Sequence, residues 1–339
     1  MIDQAQSIIS YSWTHRNLVA NLVQIHKNAN ILPGESTPAF LPFFHIYGLE
    51  VLVNLYLYSG SCLLTMPRFD LELFLRLIQE HRCEKLWIVP PVGIALAKHP
   101  MVDQFDLSSL TQVLSGAAPM GGDLTEQIHA RLGCLAFQGY GMTEMSPVAA
   151  FSNRNHYRSG AVGRGVAGTR CRIRDAETGA DLGPGQDGEL LVQGPQVMKG
   201  YLHNPKATAE TLDPDGWLST GDIAAFDEDG YLFIHDRLKE LIKVKAFQVP
   251  PAEVEAALLS HPQIRDAAVI GIPDEEAGEV PMAFVVLAEG AGLGLADVQE
   301  YLGQHLARYK IPQAMEVVES VPKSASGKIL RRLLRPRAG

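Results

Sequence analysis

Five short runs bring together the residue types that bind a charged, hydroxyl-bearing ligand. In chain order they are Ser115-Gly-Ala-Ala-Pro119, Gly139-Tyr-Gly-Met-Thr-Glu144, Ser219-Thr-Gly-Asp222, Asp236-Arg-Leu-Lys-Glu240 and Lys323-Ser-Ala-Ser-Gly-Lys328. Glycines let a backbone approach a ligand closely, and Tyr140 offers a flat face on which a planar ring such as adenine can stack. Asp222 can accept from two neighbouring hydroxyls at once, and Arg237, further along the chain, can donate to the same hydroxyl-bearing group. Lys328 is a point charge in a Ser/Gly-flanked stretch, suited to entering a site for one step and leaving for the next. Each run alone is common punctuation: a glycine turn, a strand-end carboxylate, a surface Asp–Arg pair, or a basic tail completed by Arg331, Arg332, Arg335 and Arg337. The information lies in their order.

That ordered set resembles the adenylate-forming (AMP-binding) superfamily, most closely its 4-coumarate–CoA ligase and acyl-CoA ligase branch, from about Thr14 to Arg332. The resemblance implies an ATP-dependent acid–thiol ligase that works in two halves. A carboxylate attacks the α-phosphorus of ATP to give an acyl-AMP and pyrophosphate, and the thiol of coenzyme A then displaces AMP. Both halves depend on positioning and on neutralising spread negative charge. By resemblance, Lys328 bridges acid and α-phosphate, Thr143 contacts phosphate and Glu144 holds Mg²⁺. A hard cation that bridges phosphates is usually held by one or two carboxylates, which suits a single Glu. Gly116, Ala117 and Ala118 border adenine and the acid, and Gly139, Tyr140, Gly141 and Met142 bind the nucleotide. Asp222 and Arg237 hold the ribose. His45 is a gate and polar contact for an aryl or medium-chain acyl acid, whose pocket is walled by Tyr47, Pro147 and Val148. Lys239 and Lys243 approach AMP, Lys245 and Ala246 line the thiol path, and Gln248 faces the nucleotide. The family generally has Gly where Ala246 stands, and the extra methyl penalises positive φ there.

The family's Ser/Thr/Gly-rich phosphate loop with its Lys normally precedes Thr14-His-Arg-Asn17, whereas Ile2–Trp13 holds neither Gly nor Lys. The expectation is an N-terminally truncated ligase that lacks its triphosphate cradle and needs a missing part or a partner chain. Two alternatives stay open: a catalytically impaired remnant that binds AMP or acyl-AMP, and an acyl-AMP ligase that loads a carrier protein.

The elements that must position these residues follow from length and pattern. The 339 residues, 46% hydrophobic and 20% charged, suit two domains. We expect a large α/β domain over 1–236, partial and with a distorted β-barrel part, then a small, mobile α+β domain over 237–339 hinged at Asp236-Arg237. A net charge of −9 argues against nucleic acid and anionic membrane as general partners. Charges and Gly interrupt the apolar stretch Gly48–Leu64, which reads as buried helix and strand, not a membrane span. Cys62, Cys83, Cys134 and Cys171 lack metal-like spacing and suit reduced thiols in the cytoplasm. Asp70 caps a helix built on Leu71, Phe74, Leu75 and Ile78. Strands over 86–89, 111–114 and 135–137 surround a helix over 123–132, so both glycine-rich turns fall at strand ends, where α/β ligands collect. Asp227-Glu-Asp-Gly230 turns a hairpin. The second domain is read as helices near 251–260 and 296–307 and strands near 267–270 and 283–287. Uncovered sheet faces are expected at Phe40–Phe44 and Val51–Leu57.

Overall fold

The computed structural model describes residues 10–245, 247–324 and 327–335, in a mixed α/β arrangement with a large N-terminal part and a smaller C-terminal one. The first sheet runs in the order Lys85–Ile88, Gln112–Ser115, Leu135–Gly141, Val148–Phe151, Arg164–Gly165. Its first three strands are parallel, with Ser115 level with both Ile88 and Gln138. Their crossovers are the helices Pro90–Lys98 and Gly122–Leu132. Pro90-Pro91 therefore ends one element and starts another, because proline suits the first helical turn, where its missing N–H is no loss. The carboxyl ends of the three strands lie side by side, which brings the two glycine-rich turns together.

The second sheet is antiparallel and ordered Asp181–Leu182, Arg170–Arg174, Gly188–Gln193, Leu218–Phe226, Leu232–Arg237. Its end strands do not pair with each other, so among the described residues the expected barrel part is an open sheet. A sheet closes only when strand number and stagger match, and the terminal strand Asp181–Leu182 has two residues. The chain then passes through 238–241 into a third sheet, with strands Ile242–Val244, Phe247–Val249, Ile264–Asp274, Gly278–Leu287 and Ala314–Val317. Helices Pro251–Ser260 and Leu295–Leu302 pack with this sheet. The latter stops short of the expected Ala307, with Gly303 closing its last turn.

The segment Tyr47–Asn54 is a π-helix, continued by the α-helix Leu55–Tyr58. It turns Val51, Leu52, Leu55 and Tyr56 into the core, where the Tyr56 hydroxyl accepts from the Trp87 indole at 2.9 Å. The expectation of an uncovered face at Val51–Leu57 is thus corrected for all but its end: Leu57 and Tyr58 are exposed, as are Phe43 and Phe44. Among the described residues, no helix is long and apolar enough to cross a membrane.

The same π-helix buries Glu50 completely. Its Oε2 accepts from Asn54 Nδ2 at 2.5 Å, and its Oε1 has no partner. Burial pushes the carboxyl up to about 7, against the Asn54 hydrogen bond. Because the folded-state pKa is raised, this group's contribution is fully present below its ordinary 4.5 and is lost as pH rises through about 7. Glu50→Gln keeps the shape and removes the titration. Wild type should therefore lose roughly 2 kcal/mol relative to Glu50→Gln between about pH 5 and pH 8. Urea unfolding of both proteins at the two pH values measures this. Parallel pH profiles would show that Glu50 is solvated after all.

Candidate functional site

A cavity of about 560 Å³ opens where the strand ends of the first sheet face the C-terminal part. Its wall includes Ala117, Ala118, Gly139, Tyr140, Gly141, Asp222, Arg237 and Lys328, drawn from all five motifs. Ala117 sits at φ +70°, a conformation that costs a non-glycine residue on the order of 1–3 kcal/mol and collects at ligand-binding sites. Gly141 is held so close to its neighbour strand that a β-carbon would lie 2.2 Å from the Pro147 carbonyl oxygen, so only glycine fits.

Asp222 and Arg237 are direct partners across the antiparallel strands, which explains their spacing around the Asp227–Gly230 turn. Asp222 is buried. Its Oδ2 accepts from the Tyr140 hydroxyl at 2.6 Å, and Arg237 Nε stands 3.5 Å from its Oδ1. Burial raises its carboxyl above the ordinary range, while Tyr140, Arg237 and Lys328 pull it down. Burial also lowers the Lys328 ammonium below its ordinary value; Arg237 adds to this, and Glu240 and Asp222 oppose it. Lys328 rides on a small closed loop, where Ser324 N–H donates to the Lys328 carbonyl at 2.8 Å and Lys328 N–H donates to Ser324 Oγ at 3.1 Å.

Other expected residues lie elsewhere. Thr143 and Glu144 form a single 3-10 turn after the strand and are absent from the cavity wall. Glu144 is buried, with Oε1 accepting from the Tyr201 hydroxyl at 2.8 Å. Among the described residues, no cluster of three His, Cys, Asp or Glu could hold a metal by itself. A Mg²⁺ carried largely by phosphate oxygens and water fits this one carboxylate, since that ion rarely uses an all-protein cage. Met142 precedes the turn and packs with the core beside Tyr140.

His45 is half-buried and outside both cavity walls, with Nδ1 accepting from Tyr47 N–H at 3.2 Å. Burial lowers its pKa. Tyr47 does reach a wall: with Gly116, Ala117, Pro147 and Val148 it lines a second cavity of about 60 Å³ behind the glycine turns. That volume is well below the roughly 150 Å³ that admits benzene in an engineered cavity, so as it stands this cavity is too small for an aromatic ring. The Tyr47 hydroxyl donates to the Ile88 carbonyl at 3.2 Å.

Lys239, Lys243, Lys245 and Gln248 are exposed and do not line the cavity. The last three belong to the hairpin of Ile242–Val244 and Phe247–Val249, where Lys243 pairs with Gln248. Ala246 lies outside the described residues. Among the described residues of this turn, Lys245 has a positive φ, +54°.

Sequence reasoning missed a buried charge cluster at the edge of the cavity. Arg331 Nη1 donates to Glu240 at 2.6 Å, Nη2 to the two Glu255 oxygens at 2.7 and 2.9 Å, and Nε to the Val269 carbonyl at 3.1 Å. Burial works against the Arg331 charge, but Glu255, Glu240 and Asp236 hold it above its ordinary value. The only signal was Arg331's place in the basic run after Lys328, which reads equally well as a solvated tail.

With this geometry in place, the likeness to known proteins is informative. Residues 12–202 match the family described as AMP-binding enzyme, and residues 253–328 match the AMP-binding enzyme C-terminal domain. The chain is 45% identical over 334 residues to 4-coumarate–CoA ligase 1 of Solanum tuberosum, covering 96% of itself and 61% of that relative. It thus spans about three fifths of the relative's length. ATP-bound MatB from Rhodopseudomonas palustris has a similar structure, with a TM-score of 0.89 at 30% identity over 97% of this chain and 67% of that one. Apo MatB aligns less well, with a TM-score of 0.76 at 31% identity over 96% of this chain and 65% of that one.

Proposed function

Because this chain belongs to the AMP-binding enzyme family, we propose that its cavity serves an ATP-dependent carboxylate–CoA ligase of the 4-coumarate or medium-chain fatty acid type. The observation that carries this reading is the convergence of Tyr140, Asp222, Arg237 and Lys328 on one cavity. Asp222, already oriented by Tyr140, accepts from the ribose hydroxyls, and Arg237 donates to the same sugar. The tight backbone of Gly139–Gly141 and the turn Gly116–Ala118 receive the flat base. Lys328, on the cavity wall, bridges the acid carboxylate and the α-phosphate, stabilising charge as the bond to phosphorus forms and pyrophosphate leaves. Thr143 contacts phosphate, and Glu144 would help hold the Mg²⁺ that offsets phosphate charge. The acid, aryl or medium-chain acyl, lies toward Tyr47, Pro147 and Val148, with His45 at its approach.

In the second half the thiol of coenzyme A attacks the acyl-AMP carbonyl and AMP leaves. Lys245 and Ala246 line the thiol path, while Lys239 and Lys243 approach AMP and Gln248 faces the nucleotide; Lys239, Lys243, Lys245 and Gln248 do not line the cavity in the present arrangement. We place a hinge at Asp236-Arg237, between a domain over 1–236 and a mobile one over 237–339, so that Lys328 and the hairpin take turns. The closer likeness to ATP-bound than to apo MatB supports reading the present arrangement as the one for adenylation. Four cysteines without disulfides fit a cytoplasmic setting.

The test is calorimetry on the 339-residue chain. The proposed contacts for adenine, ribose and α-phosphate lie within the 339 residues, whereas the stretch Ile2–Trp13 holds neither the Gly nor the Lys that would cradle the β- and γ-phosphates. AMP should bind at least as tightly as ATP. ATP binding about tenfold tighter, a difference of roughly 1.4 kcal/mol, would overturn the assignment of the contacts.

A further inference from the structure

Helix Pro90–Lys98 belongs to the first sheet, yet it touches the C-terminal part at both of its ends. At its start, the loop of Lys328 comes down on Val89 and Pro91: a β-carbon on Gly327 would lie 3.1 Å from Val89 and 3.6 Å from Pro91. Gly327, at φ +81°, therefore meets this surface with bare backbone. At its end, Lys98 Nζ donates to the carbonyl oxygen of Leu259 at 2.6 Å. Leu259 lies in the last turn of helix Pro251–Ser260, where carbonyls lack partners within the helix and the negative end of the dipole collects. The neighbouring Leu258 carbonyl is already used by His261 N–H. The Lys98 ammonium is partly dehydrated, and burial lowers it below its ordinary value. It forms no ion pair with a carboxylate among the described residues, so the helix end is its charge partner. The two parts also meet where a β-carbon on Gly121 would lie 3.3 Å from the β-carbon of Ala256.

We propose that Lys98 is a positioning residue: it caps the C-terminus of helix Pro251–Ser260 only while Lys328 is seated in the cavity, and so sets the fraction of molecules held in that arrangement. This inference rests on the alternation of two arrangements put forward above. Lys98 acts on Lys328 through a rigid path. The helix it caps packs with the third sheet, and Glu255 of that helix holds Arg331, three residues beyond Lys328. Leaving the seated arrangement strips the ammonium of its acceptor and leaves the Leu259 carbonyl to water. The cap thus favours one state over the other, as a switch contact must.

A disulfide reports the seated state directly. Gly121→Cys with Ala256→Cys would place two β-carbons close to the roughly 3.5–4.5 Å separation of a disulfide, in the 339-residue chain with the exposed Cys62 replaced by Ser. The readout is the initial rate of cross-linking under mild oxidation. Lys98→Met should slow it about five- to tenfold, the size expected for a partly buried cation at a helix C-terminus, and Lys98→Arg, which can still donate, should restore most of it. Cooperative melting establishes that Lys98→Met is folded; should it not be, Lys98→Gln replaces it. Equal rates with and without Lys98 would overturn the proposal while leaving the seated arrangement intact. Failure to cross-link even with Lys98 present would remove the state that Lys98 is held to stabilise, and would overturn it as well. Neither result bears on nucleotide binding, which calorimetry tests separately.

Discussion

Lys328→Ala should reduce acyl-AMP formation by about a hundredfold or more, while thioester formation from supplied acyl-AMP falls less than about tenfold. The comparison belongs in a ligase made by joining this chain to the N-terminal part of a 4-coumarate–CoA ligase, so that the triphosphate contacts are present. The asymmetry follows from where the lysine sits. Its ammonium is half-buried among Asp222, Arg237 and Glu240, the surroundings in which a point charge acts strongly on a developing phosphate charge. In the same arrangement the hairpin carrying Lys243, Lys245 and Gln248 is exposed and away from the cavity. Lys245→Ala should therefore show the reverse bias, slowing thioester formation more than adenylation. Pyrophosphate release reports the first half, and consumption of synthetic acyl-AMP with coenzyme A reports the second. Equal losses of both halves in both variants would contradict the alternation of two arrangements.

Arg331→Met should lower the unfolding free energy by about 3–5 kcal/mol, the usual result of removing one partner from a buried, hydrogen-bonded ion pair. The side chains of Arg331 and Glu255 are 14% and 9% exposed, so little solvent screens them. Glu255 keeps its bond from Val269 N–H at 2.8 Å, but a neutral Met cannot replace Arg331 as its counter-charge. Burial already pushes the Glu255 carboxyl up to about 7 against the pull of Arg331. A raised folded-state pKa means that stability is lost as pH rises through that value, and without Arg331 the folded pKa climbs further. The gap between wild type and Arg331→Met should consequently be wider at pH 8 than at pH 6. Urea unfolding at both pH values tests this, and a gap below about 1 kcal/mol at each would show that the cluster is solvated. Arg331→Met combined with Glu255→Leu should recover part of the loss, because the uncompensated carboxylate is then gone.

Much of the site was legible in the chain because its determinants are local. The helix capped by Asp70, the strand–turn–helix units around Ser115 and the hairpin at Asp227–Gly230 depend on periodicity, capping and turn chemistry, which act over a few residues. Two of these features alone put Asp222 opposite Arg237 and the glycine turns at neighbouring strand ends. The order of the motifs was enough to name the residues that gather with Lys328. Their partners were not legible. Tyr140 meets Asp222 across 82 positions, and Arg331 meets Glu240 and Glu255 across 91 and 76. No local pattern encodes such pairs, since they exist only once whole elements are placed against each other. The same holds for His45 and Glu144, whose motifs are intact while their side chains lie off the cavity wall, and for the sheet left open where a barrel part was expected. Residue type and spacing determined which polar groups this chain offers a ligand and which turns present them. Tertiary packing decided which charges are buried, which partners hold them, and that Lys328, not the hairpin of Lys245, faces the cavity, because burial and long-range contact are properties of the assembled elements and not of any stretch of sequence.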